Sequence, residues 1–127
     1  MLRILPLVLL AVGLTQAGSP EVITAPQADS ILRVQVAKPG FHLLDVRTPE
    51  EFAQGHLKGA MLVDIKSPDF DAKVSKLPRK DRYLLYCRSG HRSGIALGKM
   101  KEMGFSDVQH VAGGIGAWTS AGLPTVQ

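Results

Sequence analysis

The sequence predicts an α/β fold with a central, mainly parallel sheet of about five strands and helices on both faces. Short apolar runs, which are typical of buried strands, alternate along the chain with segments that carry helix-capping residues. The chain has 127 residues, which is enough for one domain. Neither an internal repeat nor a low-complexity linker divides it. One sheet is therefore expected to hold all the strands.

Each strand is predicted from a short apolar run bounded by turn or charged residues. The run 83–86 is the most convincing core strand, because its four apolar residues follow Arg82 and precede Cys87 and Arg88. The predicted strands are 22–24, 41–46, 61–63, 83–86 and 108–111.

Helices are predicted from N-cap residues and from prolines in the first turn. Thr24 and Gln27 have the spacing of a capping box, and the segment 48–51, Thr-Pro-Glu-Glu, repeats that pattern. Glycine and proline residues mark the helix ends. The predicted helical segments are 24–37, 48–55, 67–76, 92–103 and 115–121.

The first 17 residues have the layout of a secretory signal peptide. A positive start, 1–3, precedes an apolar run over 4–14, and Ala17 is a small residue at the predicted cleavage point. The run is shorter than the roughly 20 residues of a transmembrane helix. An uncleaved anchor and a buried N-terminal helix stay open as alternatives. We expect a signal peptide at 1–17 and a domain at 18–127, periplasmic or secreted, with no stable membrane association after cleavage.

Composition and charge exclude several classes of protein. The formal net charge is +4 and no five like charges are consecutive, so we expect no nucleic-acid partner and at most a small anionic substrate. The single cysteine excludes an intramolecular disulfide framework and any zinc site that needs several thiolates. We expect neither a metal nor a cofactor. In an exported chain, a lone cysteine is either well buried or kept for its reactivity.

The candidate chemistry lies at 87–92, Cys-Arg-Ser-Gly-His-Arg, between the best strand and the best helix. In parallel sheets, ligands bind at the carboxyl ends of strands beside helix N-termini, where backbone N–H groups form an anion-binding nest. The helix dipole together with Arg88 and Arg92 is expected to lower the pKa of the Cys87 thiol. The resulting thiolate would be a nucleophile for anionic electrophiles. The alternative is a small apolar residue that merely ends a core strand.

Four motifs resemble the signatures of the rhodanese-like sulfurtransferases, in the family's order and spacing. They are 43–52 (LLDVRTPEEF), 55–60 (GHLKGA), 86–93 (YCRSGHRS) and 113–118 (GGIGAW). The resemblance covers about residues 21–124, and the size and signal-like start are similar to those of single-domain, periplasmic, phage-shock-type members. The loop is Cys-x4-Arg, whereas the related phosphatases have Cys-x5-Arg, so its length favours sulfur transfer.

The resemblance implies a two-step sulfur transfer through a persulfide on Cys87. The thiolate takes the outer sulfur of thiosulfate or a similar donor, and cyanide or a thiol acceptor then removes it. An alternative is a carrier module that delivers the persulfide sulfur to a protein partner. Both hypotheses use Cys87, so this residue does not separate them.

The rest of the loop is expected to bind the donor. The two arginines of the loop would hold the dianionic donor. Ser89 and Gly90 offer backbone N–H groups, and His91 lies at the rim of the pocket. The candidate substrate-binding residues are Arg88, Ser89, Gly90, His91 and Arg92. Alternatives stay open for Arg88, as a solvated charge, and for Arg92, as a structural partner of a carboxylate such as Asp45.

Three residues outside the loop are predicted to give structural support. Asp45 ends its strand on the same sheet edge as Cys87, and Arg47 and Glu51 are predicted to pair with each other and hold the short helix. Two strand histidines, His42 and His110, have no ligand spacing and receive no predicted role.

Overall fold

The structure, a computed structural model, describes residues 3–4 and 19–127. The predicted signal peptide, 1–17, therefore lies outside the described residues except for Arg3 and Ile4. Among the residues that are described, no helix is long and apolar enough to cross a membrane.

In the described part of the chain, five parallel strands form one sheet in the order β1-β5-β4-β2-β3. The strands are β1 (Val22–Ile23), β2 (Phe41–Asp45), β3 (Met61–Leu62), β4 (Arg82–Tyr86) and β5 (Asp107–Val111). In the register, Asp45 lies opposite Tyr86, and Leu85 lies opposite His110. The carboxyl ends of β2, β4 and β5 therefore meet at one edge, directly beside Cys87.

The predicted helices are also present, with ends within three residues of expectation. They are α1 (Ala25–Gln35), α2 (Pro49–Gln54), α3 (Phe70–Ser75), α4 (His91–Glu102) and α5 (Gly114–Ser120). Both capping boxes are confirmed: Thr24 and Thr48 accept hydrogen bonds from the backbone of Gln27 and Glu51, whose side chains bond back to the caps. Local sequence thus determines where α1 and α2 begin.

The core has two halves, one on each face of the sheet. Along β4 and the residue after it, Tyr83, Leu85 and Cys87 pack into the half covered by α3 and α4, whereas Leu84 and Tyr86 pack into the half covered by α1 and α5. This alternation follows from the two-residue period of a strand. Because both faces are buried, β4 reads as a continuous apolar run. The predicted α/β fold, with helices on both faces, is confirmed.

The start of α5 is held directly on the loop that follows β4. The backbone N–H of Ile115 donates to the carbonyl of Cys87 at 2.9 Å, and that of Gly116 donates to the carbonyl of Arg88 at 3.1 Å. Gly114 permits this approach, since its φ is +56° and a Cβ there would lie 2.3 Å from the Cys87 carbonyl oxygen. A side chain at this position would push the helix off the loop.

We predict that Gly114→Ala destabilises the protein by about 2–4 kcal/mol, from the left-handed φ and the forced overlap together. The matched control is Gly98→Ala in α4, where a Cβ meets nothing within 4 Å; it should raise stability by up to about 1 kcal/mol through helix propensity. Denaturant unfolding of both variants is the measurement. Equal stability of Gly114→Ala and wild type would contradict the proposed close packing.

Candidate active site

The loop after β4 curls around the sulfur of Cys87. The backbone N–H of Gly90 donates to Sγ at 3.0 Å. Gly90 has a φ of +101° and is the N-cap of α4, so the turn that aims its N–H inward needs a residue without a Cβ. The sulfur therefore accepts a backbone N–H of the loop, as expected for the anion-binding nest that the sequence predicts.

Cys87 is fully buried, and its pKa is nevertheless lowered from the ordinary value of a thiol. Burial alone raises the pKa, but hydrogen bonds from the Ser93 hydroxyl and from the backbone N–H groups of Ser93, Gly90 and Ser89 outweigh it. The pKa of Cys87 is shifted in the direction expected from the sequence, but for a different reason. Hydrogen-bond donors, and not the arginines, contribute most to lowering it. Donors that are already aimed at the sulfur stabilise its anionic form.

Arg92 is engaged in a bidentate ion pair with Glu51. Its Nη1 and Nη2 atoms lie 2.7 Å and 2.9 Å from the two carboxylate oxygens. The hydrogen bond from Arg92 is the main reason that the pKa of Glu51 falls to about 2. The ion pair joins the first turn of α2 to the first turn of α4, so it fixes the loop's far end against the neighbouring helix.

Arg47 pairs with Asp45, and the predicted pair between Arg47 and Glu51 is wrong. The Arg47 Nε and Nη2 atoms lie 2.9 Å and 2.7 Å from the Asp45 carboxylate, and Nη2 also donates to the Gly55 carbonyl at 2.7 Å. Residues two apart in extended chain point the same way, which brings Arg47 onto Asp45. Glu51 caps α2 and faces α4, so the carboxylate open to Arg92 is Glu51 and not Asp45.

Three loop side chains, those of Arg88, Ser89 and His91, are exposed, whereas Gly90 is half-buried. Arg88 forms no ion pair with any described residue. Of the two loop arginines, Arg88 is therefore the one whose guanidinium is available to an incoming anion.

An open cleft adjoins the loop between α2 and α5. Its volume is about 470 Å³, which falls in the range of pockets that bind organic molecules. Residues of α2, α5, the loop and the C-terminal segment line it, among them Glu51, Gln54, Arg88, Thr119 and Thr125. The cleft brings the free guanidinium together with neutral hydrogen-bonding groups.

The structure adds two residues to which sequence reasoning gives no role, Ser93 and His110. Ser93 is fully buried in the first turn of α4, and its Oγ atom lies 2.8 Å from Nδ1 of His110 on β5. Ser93 lies within the loop motif, which is a signal that could have found it. His110 comes beside the site only because β5 is the neighbour of β4 in the sheet.

Comparison with known proteins agrees with this geometry. The family model described as "Rhodanese-like domain" matches residues 29–121. The chain is 42% identical over 96 residues to thiosulfate sulfurtransferase 16, chloroplastic, of Arabidopsis thaliana, an alignment that covers 68% of this chain and 80% of that protein. It is 40% identical over 82 residues to the probable adenylyltransferase/sulfurtransferase MoeZ of Mycobacterium tuberculosis, which covers 65% of this chain and 21% of MoeZ.

Solved structures support the same assignment. The rhodanese-related protein from Thermoplasma volcanium superposes with a TM-score of 0.72 at 26% sequence identity, over 84% of this chain and 98% of that one. The family model spans most of the domain, and the motifs it matches carry the cysteine loop. The chain belongs to the rhodanese-like domain family.

Proposed function

We propose that this protein is a thiosulfate sulfurtransferase of the rhodanese type, which passes a sulfane sulfur through a Cys87 persulfide to cyanide or a small thiol. The observation that carries the proposal is the buried Cys87 sulfur, which accepts the Gly90 N–H and whose pKa is lowered by the surrounding donors. The signal-like layout of residues 1–17 supports the further proposal that the reaction takes place in the periplasm or outside the cell.

In the first step, the Cys87 thiolate attacks the outer sulfur of thiosulfate. A new S–S bond forms on Sγ, the S–S bond of thiosulfate breaks, and sulfite leaves with the bonding electron pair. The negative charge now lies on the terminal persulfide sulfur. The loop N–H groups of Ser89 and Gly90 are suited to stabilise that charge, as donors in an oxyanion hole do.

In the second step, cyanide or a thiolate attacks the terminal sulfur of the persulfide. The bond between this sulfur and Sγ breaks, the acceptor leaves as thiocyanate or as its own persulfide, and the electron pair returns to Cys87 as thiolate. The enzyme sulfur carries one negative charge before and after each step. One difficult exchange is thus divided into two displacements at the same transferred sulfur atom.

The donor-binding role in this proposal falls on Arg88. The Arg92 guanidinium is held by Glu51 at both Nη atoms, so its first effect is on the position of the loop. Arg88 is exposed at the edge of the cleft, where a dianion can reach it without breaking an existing ion pair.

A second candidate is a sulfur-carrier module that loads Cys87 and passes the sulfur to a protein. The size of the cleft supports an acceptor larger than cyanide, because about 470 Å³ far exceeds a two-atom ion. A thiol carried on an organic molecule or on an exposed chain segment would be able to occupy it. Rapid turnover with small acceptors favours the enzyme, whereas stoichiometric loading without turnover favours the carrier.

We predict that Cys87→Ser abolishes sulfur loading and leaves the fold intact, because a serine hydroxyl is not ionised near neutral pH and has nearly the same shape. Intact mass spectrometry should show the mass of one added sulfur atom on wild type after thiosulfate treatment, and its loss after cyanide. The serine variant should show neither change at an unaltered Tm. Equal sulfur addition to both proteins would place the label elsewhere and overturn the mechanism.

We predict that Arg88→Ala raises the KM for thiosulfate about tenfold, which is the loss expected for one charge-assisted hydrogen bond, with Tm unchanged. The control is Arg33→Ala, which removes an equal charge from the solvent face of α1, where Arg33 pairs with Asp29. Arg92→Ala should instead lower Tm, since it leaves Glu51 without its partner. Steady-state kinetics at several ionic strengths make the comparison, and an unchanged KM in Arg88→Ala would remove this residue from the site.

We predict that Thr119→Trp, which fills the cleft from α5, slows transfer to an organic thiol severalfold and leaves transfer to cyanide unchanged. Ser120→Trp is the matched control, because Ser120 is the next residue of the same helix and does not line the cleft. The ratio of the two acceptor rates is measured for each variant. An equal fall in the transfer rate with both acceptors, or no fall with either, would show that the cleft does not bind the acceptor.

A further inference from the structure

A buried polar contact lies behind the sulfur, on the side covered by α4. The Ser93 Oγ atom lies 2.8 Å from Nδ1 of His110 and 3.3 Å from the Gly90 carbonyl oxygen. The same hydroxyl is among the groups that lower the pKa of the Cys87 thiol. Ser93 is therefore the residue that links the loop around the sulfur to the imidazole of His110.

The placement of His110 is specific to the tertiary structure of this chain. Its strand neighbour on β4 is Leu85, and its backbone N–H donates to the Glu21 carbonyl at 2.8 Å. The ring packs against Gly94 of α4, where an added Cβ would lie 3.5 Å from the His110 Cε1 atom. The imidazole is thus packed directly against the start of α4, beside Ser93.

One hydroxyl proton decides what Ser93 does. When Nδ1 of a neutral His110 accepts that proton, the sulfur loses the hydroxyl as a donor. When Nδ1 carries its own hydrogen, it donates to Ser93 Oγ, and the hydroxyl proton is free to point at sulfur or at the Gly90 carbonyl. An imidazolium always donates from Nδ1. The state of the histidine is thus coupled to the hydrogen bond that the sulfur receives.

We propose that His110 is a positioning residue for the reaction: acting through Ser93, it turns the Ser93 hydroxyl toward the Cys87 sulfur whenever that sulfur carries negative charge. The inference rests on the proposed function for its biological meaning, because the sulfur alternates between thiolate and persulfide during transfer. Successive hydrogen bonds from Nδ1 to Oγ and from Oγ to Sγ polarise one another. Together they stabilise the anionic sulfur more than the Ser93 hydroxyl would alone.

The surroundings favour a neutral His110 near pH 7. Burial lowers its pKa below 6.5, and Glu21, which precedes β1, opposes this effect. Glu21 is itself paired with Lys101 of α4. Below the His110 pKa, the positive ring must donate to Ser93. The fraction of Cys87 present as thiolate should therefore fall less steeply with decreasing pH than a lone thiol would.

The test measures the rate of Cys87 alkylation by iodoacetamide from pH 4 to 10, which reports thiolate without any sulfur donor. His110→Ala and Ser93→Ala should each slow alkylation at pH 6 roughly three- to tenfold, the effect of one hydrogen bond. In a Ser93→Ala background, His110→Ala should cause no further loss. The Asn side chain of His110→Asn also donates but does not titrate. This variant should restore the alkylation rate near pH 7, and below that pH its rate should fall as steeply as that of a lone thiol.

The matched control is His42→Ala, which removes another half-buried strand histidine, one that bonds Asp81 at 2.8 Å near the amino end of β2. It should alkylate as wild type does. Wild-type rates in His110→Ala, or additive losses in the double variant, would overturn the proposal. If His110→Ala fails to fold, the profile of His110→Asn decides the question. Failure of thiosulfate to load wild type, with the coupled alkylation intact, would instead overturn the proposed function.

Discussion

The contact between the start of α5 and the loop after β4 is the constraint on which the site depends. Two backbone N–H groups of α5 hold the carbonyls of Cys87 and Arg88, while the N–H of Gly90 faces the sulfur. Gly114 makes this approach sterically possible. A cysteine ending a buried strand would otherwise be an unreactive apolar residue, since burial alone raises the pKa of a thiol.

Of the three arginines at this loop, two form ion pairs within the protein and one is exposed. Arg47 neutralises the fully buried carboxylate of Asp45, and Arg92 neutralises Glu51 on the neighbouring helix. A buried carboxylate without a partner would be strongly destabilising, so Asp45 holds Arg47 firmly, and Arg92 is held by Glu51 at both Nη atoms. Arg88, which is left exposed, carries the charge that a mobile anion can use. Support for the loop and attraction of the donor therefore reside in different residues.

The polar groups behind the sulfur show how the sheet order contributes to reactivity. His110 and Ser93 are 17 residues apart in the chain, yet they meet because β5 lies next to β4 and α4 crosses over both. The His110 ring packs against Gly94 of α4. The cleft on the other side of the loop is formed by α2, α5 and the C-terminal segment. The cleft thus lies on one side of the loop 87–92, and Ser93 and His110 lie on its other side.

The sequence by itself determined the order of strands and helices, both capping boxes, the fold class and the loop that holds Cys87, because these depend on local propensity, on hydrophobic period and on adjacent residues. Only the tertiary structure decided which carboxylate each arginine meets, and that His110 reaches Ser93. Charged side chains such as Arg47 have several carboxylates within a few positions along the chain, and Glu51 is paired with Arg92 because α2 lies beside the start of α4. Likewise, no local pattern reports that β5 lies beside β4, so the role of a strand histidine emerges only when the sheet is assembled.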